Sequence, residues 1–312
     1  MKKYVFGVDM GGTTCKIGFF ETSGKLLDKW EIPTNTSNQG AAILPDVASA
    51  VTGRLAQAGI DKDEVQGIGL GVPGPVRSDG IVSCCVNLGW REVDPAKQLG
   101  ELTGLPVKVG NDANVASLGE MWQGGAKGCK DVLLVTLGTG VGGGVIVNGK
   151  VVAGFDGAGG EIGHVTVKPD ETEQCNCGQR GCLEQYASAT GIARLARRKL
   201  AESSADTSLR RISEPTAKDV FDAAKAGDVF SLELVDEVCG ILGAALSNIA
   251  CVVNPQVIVI GGGVSRAGAI LLDSVQKHYK ETVLSVCRET KFALASLGND
   301  AGMYGCAQMV LD

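Results

Sequence analysis

Residues 161–184 read EIGHVTVKPDETEQCNCGQRGCLE, and they gather three of the chain's eleven cysteines and one of its two histidines between Glu161 and Glu184. Structural zinc is held by four tetrahedral donors drawn from thiolates and imidazole, supplied from closely spaced positions. His164, Cys175, Cys177 and Cys182 form such a set. Gly178 and Gly181 stand between the second and third cysteines, where a chain bending round an ion needs unrestricted backbone angles. A disulfide framework fits less well, because a chain of 312 residues needs no staples to hold a core.

Three glycine turns add a second kind of chemistry. The apolar run Tyr4–Val8 ends at Asp9, and Gly11, Gly12, Thr13 and Thr14 form a turn before Ile17–Phe20 resumes a strand. Such a turn brings amides and hydroxyls close to phosphate oxygens. A carboxylate beside it calls for an intervening cation such as magnesium. Val132–Leu137, the turn of Gly138, Thr139 and Gly140, and a strand ending at Asn148-Gly149-Lys150 repeat the plan, so the chain reads as duplicated halves able to grip a polyphosphate from both sides. A third turn, Gly261, Gly262 and Gly263 after Val257–Ile260, suits a heterocycle or ribose lying on bare backbone. Asn111 and Asp112 end the strand Val107–Val109 and open a helix through Trp122. As caps they need no function, yet a strand end opening into a helix is where α/β folds place catalytic groups.

The elements that must position these groups follow from spacing. Residues 41–58, 95–103, 186–200, 219–226 and 229–252 carry helical periodicity, as does the C-terminal 300–310. Val65–Val72 reads as a buried strand running into the turn Pro73-Gly74-Pro75, Asn87–Trp90 follows a second turn, 201–218 reads as a surface loop, and a last strand lies near 292–294. The length exceeds what one core usually fills, so we expect two α/β domains, 1–112 plus 300–312 and 113–299. The formal charge of −6 and the lack of a basic run argue against nucleic-acid or membrane-surface partners. No apolar run approaches the roughly 20 residues of a membrane span. Eleven cysteines without a signal-peptide core point to a reducing, cytoplasmic setting.

With these pieces laid out, the chain resembles the ROK family of sugar kinases over essentially its full length. DMGGTTCK is similar to the family's first phosphate loop, LGTGVGGG to its second, GGGVS to its adenosine loop, and EIGH with CNCGQRGCLE to its zinc and sugar signature. The resemblance implies a two-domain actin- and hexokinase-like (ribonuclease H-like) fold with duplicated halves around a nucleotide cleft. GVPGPV, NLGW, NDAN and EIGH are most similar to bacterial glucokinases, which implies ATP-dependent phosphorylation of glucose at the 6-hydroxyl. Kinases for N-acetylmannosamine, N-acetylglucosamine or fructose are the alternatives within the family, and a non-catalytic sugar sensor is a more distant one. The resemblance makes Asp112 the general base and places Asn111, Glu161, His164 and Glu184 on the sugar hydroxyls, with Gly74 and Asn87 in adjoining loops. It assigns Asp9 to magnesium through water, the first two glycine turns to the phosphates of ATP, and His164 with the three cysteines to structural zinc. It also suggests a homodimer. In one departure, many relatives carry a lysine directly after GGT, whereas here Thr14 and Cys15 precede Lys16.

Overall fold

A computed structural model describes residues 2–311; Met1 and Asp312, which the expected limits of the first domain include, lie outside the described residues. The strand β1 (Tyr4–Met10) is rich in apolar residues and almost wholly buried, as a central strand covered on both faces must be. It pairs antiparallel with β2 (Thr14–Glu21), which pairs with β3 (Leu26–Pro33). On its other side it runs parallel to β4 (Val65–Val72), which in turn runs parallel to β7 (Val107–Asn111). The sheet order is β3-β2-β1-β4-β7.

The plan recurs strand for strand in the second half. β8 (Val132–Leu137), β9 (Val141–Val147), β10 (Lys150–Val151), β11 (Val257–Gly261) and β12 (Lys291–Leu294) form a sheet of order β10-β9-β8-β11-β12, antiparallel along β10-β9-β8 and parallel along β8-β11-β12. The duplication read from the glycine turns is a duplication of topology. A hairpin of β5 (Val82–Cys85) and β6 (Trp90–Val93), which periodicity did not reveal, carries Asn87 in the turn between its strands.

Helices cover both sheets. A single turn, α1 (Ser37–Gly40), precedes α2 (Ile43–Ala58), which buries Ile43, Leu44, Val47 and Val51 in a core with Phe6, Val8, Ile17 and Phe19. Asp94 caps α3 (Pro95–Thr103) through the Lys97 amide, with proline at the start where no amide partner is required. α4 (Asp112–Gln123) begins at Asn111. The stretch expected as one helix from 186 is two, α5 (Glu184–Ala187) and α6 (Ala189–Glu202), because the Ser188 hydroxyl caps a new start at the Gly191 amide. Thr216 and Asp219 cap α7 (Ala217–Lys225) reciprocally, and Asp228 opens α8 (Val229–Val253). The same Asp228 accepts from Thr207 Oγ1 at 2.8 Å and the Ser208 amide at 2.9 Å, so part of the segment expected as loose surface loop is fastened down. α9 (Ala269–Thr282) completes the second half.

The last helix, α10 (Ala301–Leu311), returns to the first sheet and packs between it and α4. A Cβ on Gly69 would lie 1.7 Å from the Cys306 carbonyl oxygen, and one on Gly305 would lie 1.5 Å from that of Val115, so glycine alone permits this seam. Among the described residues no helix is long and apolar enough to cross a membrane.

Candidate active site

Three parallel strands deliver their carboxyl ends side by side. Asp9 stands opposite Gly71, and Val72 opposite Asn111, so Asp9, the 73–75 turn and the Asn111-Asp112 pair share one edge. Asn111 Oδ1 accepts from the Ala113 and Asn114 amides at 3.0 and 3.2 Å, while its Nδ2 donates to the Gly74 carbonyl at 3.0 Å. The cap therefore also fixes the proline turn against the head of α4. Asp112 Oδ1 accepts from the Ala113 amide at 2.8 Å, and the Asn111 side chain also bears on the carboxyl. As a residue Asp112 is exposed, yet nearby protein desolvates its carboxyl group. This desolvation pushes its pKa above the ordinary carboxylate value, against the pull of hydrogen bonds from Ala113 and Asn111.

Asp9 is pushed up to about 6, first by burial and then by the Asp112 charge, with Lys16 opposing. A half-buried carboxylate with no hydrogen bond among the described residues is relieved by a nearby cation, so Asp9 fits a magnesium site. Thr34, which the sequence did not single out, holds the adjoining loop by donating from Oγ1 to the Gly11 carbonyl at 2.7 Å and from its amide to Thr13 at 2.9 Å. Asn87 lies against the same loop, its Cβ 3.6 Å from where a Gly12 Cβ would sit. Lys16 Nζ donates to the Asn299 carbonyl at 3.0 Å, away from a phosphate role in this conformation.

On the facing half, Gly138, Gly140, Glu161, His164, Glu184 and Gly262 line one open cavity of about 350 Å³. Glu184 Oε2 accepts from the Val141 amide at 3.0 Å, and a Cβ at Gly140 would come within 2.2 Å of that oxygen, so the second glycine turn is shaped around this carboxylate. The two halves meet where β9 packs on the head of α4: a Gly142 Cβ would be 3.9 Å from Ala113 Cβ. The segment before Glu161 likewise rests on the proline turn, since a Gly157 Cβ would be 2.6 Å from the Val76 carbonyl oxygen.

The ligand atoms of His164, Cys175, Cys177 and Cys182 all lie within 4.8 Å of one another. Cys177 and Cys182 Sγ are 3.6 Å apart, near the roughly 3.7 Å that two zinc–sulfur bonds of about 2.3 Å subtend at a tetrahedral angle. The loop that brings them together is closed by the Cys175 amide on the Gln179 carbonyl at 2.7 Å and by the Val167 amide on Gly181 at 2.7 Å. Burial, then the neighbouring thiols, push Cys182 up to about 12. Soft donors converging at tetrahedral spacing fit zinc. His164 presents Nδ1 to this cluster, 3.9 Å from Cys175 Sγ, and Cys175 Sγ also lies 3.8 Å from Glu184 Oε1.

The third glycine turn is divided between two places. Gly261 is buried within β11, Gly262 faces the cavity of Glu161 and His164, and Gly263 lines a separate cavity of about 490 Å³ with Thr139, Thr190, Lys218, Phe221 and Arg266. The walls from α6 and α7 were invisible in the sequence because their residues are ordinary members of amphipathic helices. Thr190 Oγ1 ties α6 to the second glycine turn by donating to the Thr139 carbonyl at 2.7 Å.

A buried ion pair holds the cysteine loop on α6. Glu171, with a side chain 4% exposed, accepts from Tyr186 Oη at 2.5 Å and Arg194 Nη2 at 3.1 Å. Burial raises its pKa, but these bonds and the Glu173 amide outweigh burial and hold it at about 2. The folded pKa lies below the unfolded one, so the pair's stabilisation, roughly 2–3 kcal/mol, is present above about pH 4.5 and fades as pH falls toward 2. Glu171→Gln is therefore expected to lower the unfolding free energy at pH 7 by that amount and much less at pH 3. Denaturant titrations at both pH values check this, and an equal loss at both would contradict it.

The ROK family model matches residues 5–312. A glucokinase of Halalkalibacterium halodurans is 48% identical over 99% of this chain and 95% of its own length. One from Thermotoga maritima is 37% identical over 99% of this chain and 98% of its own. Among solved structures, a ROK family glucokinase from Streptomyces griseus in complex with glucose and AMPPNP superposes with a TM-score of 0.74 at 32% identity, covering 98% of each chain.

Proposed function

The chain belongs to the ROK family, and on that footing we propose that it is a glucokinase, moving the γ-phosphoryl group of ATP to the 6-hydroxyl of glucose. The observation that supports this reading is the Asp112 carboxylate at the head of α4, where the carboxyl ends of the first sheet gather and the next residue, Ala113, lies near Gly142 of the strand that follows the turn of Gly138–Gly140. Phosphoryl transfer needs little covalent help; it needs the acceptor hydroxyl, the phosphates and compensating charge held in line. Asp112 is the general base that takes the 6-hydroxyl proton. Glu161, His164 and Glu184 hold the other hydroxyls, with Asn111 contributing the amide hydrogen left over from the Gly74 bond and Gly74 and Asn87 shaping the wall.

Gly11–Thr14 and Gly138–Gly140 hold the phosphates of ATP, and Gly262 and Gly263 with the α6 and α7 walls hold the adenosine. Asp9 would hold magnesium through water, and the ion would supply charge compensation to the phosphates. His164, Cys175, Cys177 and Cys182 would hold a structural zinc, and His164, with Nδ1 on that cluster, would turn Nε2 to the sugar. The moving bodies are residues 1–112 plus 300–312 and residues 113–299, and their closure excludes water from the transfer. The protein acts in the cytoplasm as a homodimer, the latter to be checked by light scattering.

A coupled assay with ATP and magnesium across a sugar panel tests the reading. We expect kcat/KM for glucose to exceed that for N-acetylmannosamine, N-acetylglucosamine and fructose by at least about tenfold, since a site built to bond hydroxyls leaves groups unpaired when one is replaced. Preference for an N-acetylated sugar, or no turnover with any hexose, would overturn it.

A further inference from the structure

The chain passes between its two sheets twice. It leaves the first sheet at β7, runs through α4 and residues 124–131, and enters the second at β8; it returns from β12 through residues 295–300 into α10, which packs on the first sheet. Both passages meet at one side chain. Glu120, in the last turn of α4, is 1% exposed. Its Oε2 accepts from the Gly125 amide at 2.7 Å and the Ser296 amide at 3.1 Å, and its Oε1 from the Leu297 amide at 3.0 Å. Its main-chain carbonyl accepts from the Gly124 and Ala126 amides at 3.1 and 2.9 Å. One residue therefore gathers the amides of 124–126 from the first passage and of 296–297 from the second.

The glycines beside it show how close the approach is. A Cβ on Gly124 would lie 2.0 Å from Glu120 Oε2, and one on Gly125 would lie 2.5 Å from the Leu294 carbonyl oxygen, so the passages touch only because neither residue has a side chain. A carboxylate shut off from water depends on the groups that donate to it. Here those donors are main-chain amides of two segments remote from each other in sequence. Three amides on two oxygens need both oxygens as acceptors, which a carboxylate supplies and an amide side chain does not.

Asp112 heads the same helix, about 12 Å away at 1.5 Å per residue. Between the two, α4 is pressed against both halves: a Cβ on Gly119 would lie 2.1 Å from the Ala301 carbonyl oxygen of α10, and one on Gly144 of β9 would lie 1.7 Å from Ser117 Oγ. We infer that Glu120 is a positioning residue for phosphoryl transfer. By holding both passages on the tail of α4, it fixes where the second half, with the turn of Gly138–Gly140 and the groups proposed to hold the sugar, stands relative to the base at the head. It touches neither sugar nor nucleotide. Slack at this point misplaces the acceptor hydroxyl and admits water as a competing acceptor of the phosphoryl group. The inference rests on the glucokinase reading for the reaction it serves.

The test is Glu120→Gln in the zinc-loaded full chain, assayed well below its melting temperature. We expect kcat for glucose to fall about tenfold with KM for glucose and for ATP within about threefold, because the groups that touch both substrates are intact. The ADP formed per glucose 6-phosphate, about one in the parent, should rise as water takes a share of the transfers. Parental kcat with an unchanged ratio overturns the inference, as does a loss confined to KM, or a loss of kcat that the unfolded fraction, read by circular dichroism, accounts for in full. Should the variant not fold, amide exchange in the parent decides. The Gly125, Ser296 and Leu297 amides should exchange together and at least about a hundredfold more slowly than in an unstructured peptide, although Ser296 is an exposed residue. Free exchange at Ser296 or Leu297 overturns the shared hold. A parent that phosphorylates no hexose sinks the glucokinase reading, while the exchange measurement still decides whether one carboxylate holds both passages.

Discussion

Asp112→Asn is expected to lower kcat for glucose by about a thousandfold while leaving KM within about threefold. The substitution keeps the size of the side chain and its hydrogen bond with the Ala113 amide, so the head of α4 stays capped by Asn111 and the sugar wall stays in place. What disappears is an oxygen able to take a proton. The pH profile separates this role from a structural one. Burial raises Asp112, and a base must be ionised, so kcat/KM of the parent should rise with pH through a limb centred above the ordinary carboxylate value of about 4. Asp9, raised to about 6 and repelled by Asp112, titrates jointly with it. Removing the Asp112 charge should therefore shift whatever limb remains to lower pH. Steady-state kinetics across the acid range check both points, and near-parental turnover in the variant would remove the general base from the mechanism.

Loss of the zinc site should cost nearly as much. Stripping the metal with a chelator, or Cys182→Ser, is expected to reduce activity by more than about a hundredfold and to lower the melting temperature, with zinc restoring the stripped protein but not the variant. Cys182 is fully buried and its backbone pairs with Thr166, so its sulfur sits where the two arms of the loop are joined. Cys175 Sγ sits beside both His164 Nδ1 and Glu184 Oε1, and Glu184 in turn accepts from the Val141 amide at the end of the second glycine turn. Disorder in the cysteine loop thus reaches His164 and Glu184, proposed to hold sugar hydroxyls, and the turn proposed to hold phosphates, so the damage should appear in KM for glucose and for ATP as well as in kcat. Elemental analysis beside kinetics is the check; a metal-free preparation with full activity would contradict the coupling.

Much of this site could be read from residue order because its parts are local. A glycine turn between two apolar strands, a cap after a strand and four soft donors within nineteen positions of one another are each legible without knowing what lies across the fold. Duplication was legible for the same reason, since the order of turns repeats. The parts that escaped depend on distant pairing. Thr34 steadies the first loop only because β3 runs beside β2, and Thr190 and Phe221 wall a cavity only because α6 and α7 pack beside the loop after β11. The hairpin that presents Asn87 has strands of four residues, too short for an alternation to stand out. The break at Ser188 was hidden because the residues on either side fit a helix equally well, and the serine's capping bond decides the matter. Gly261, read as part of the adenosine turn, proved to be the last residue of β11, a shift of one position that periodicity does not resolve.

A crystal structure with glucose and a non-hydrolysable ATP analogue is the most direct test of the placement of Asp112. The 6-hydroxyl oxygen should lie within about 3 Å of an Asp112 carboxylate oxygen, with the γ-phosphate on its far side and His164 Nε2 on another hydroxyl of the ring. A sugar bound with its 6-hydroxyl turned away from Asp112, or seated out of reach of Glu161, His164 and Glu184, would contradict it.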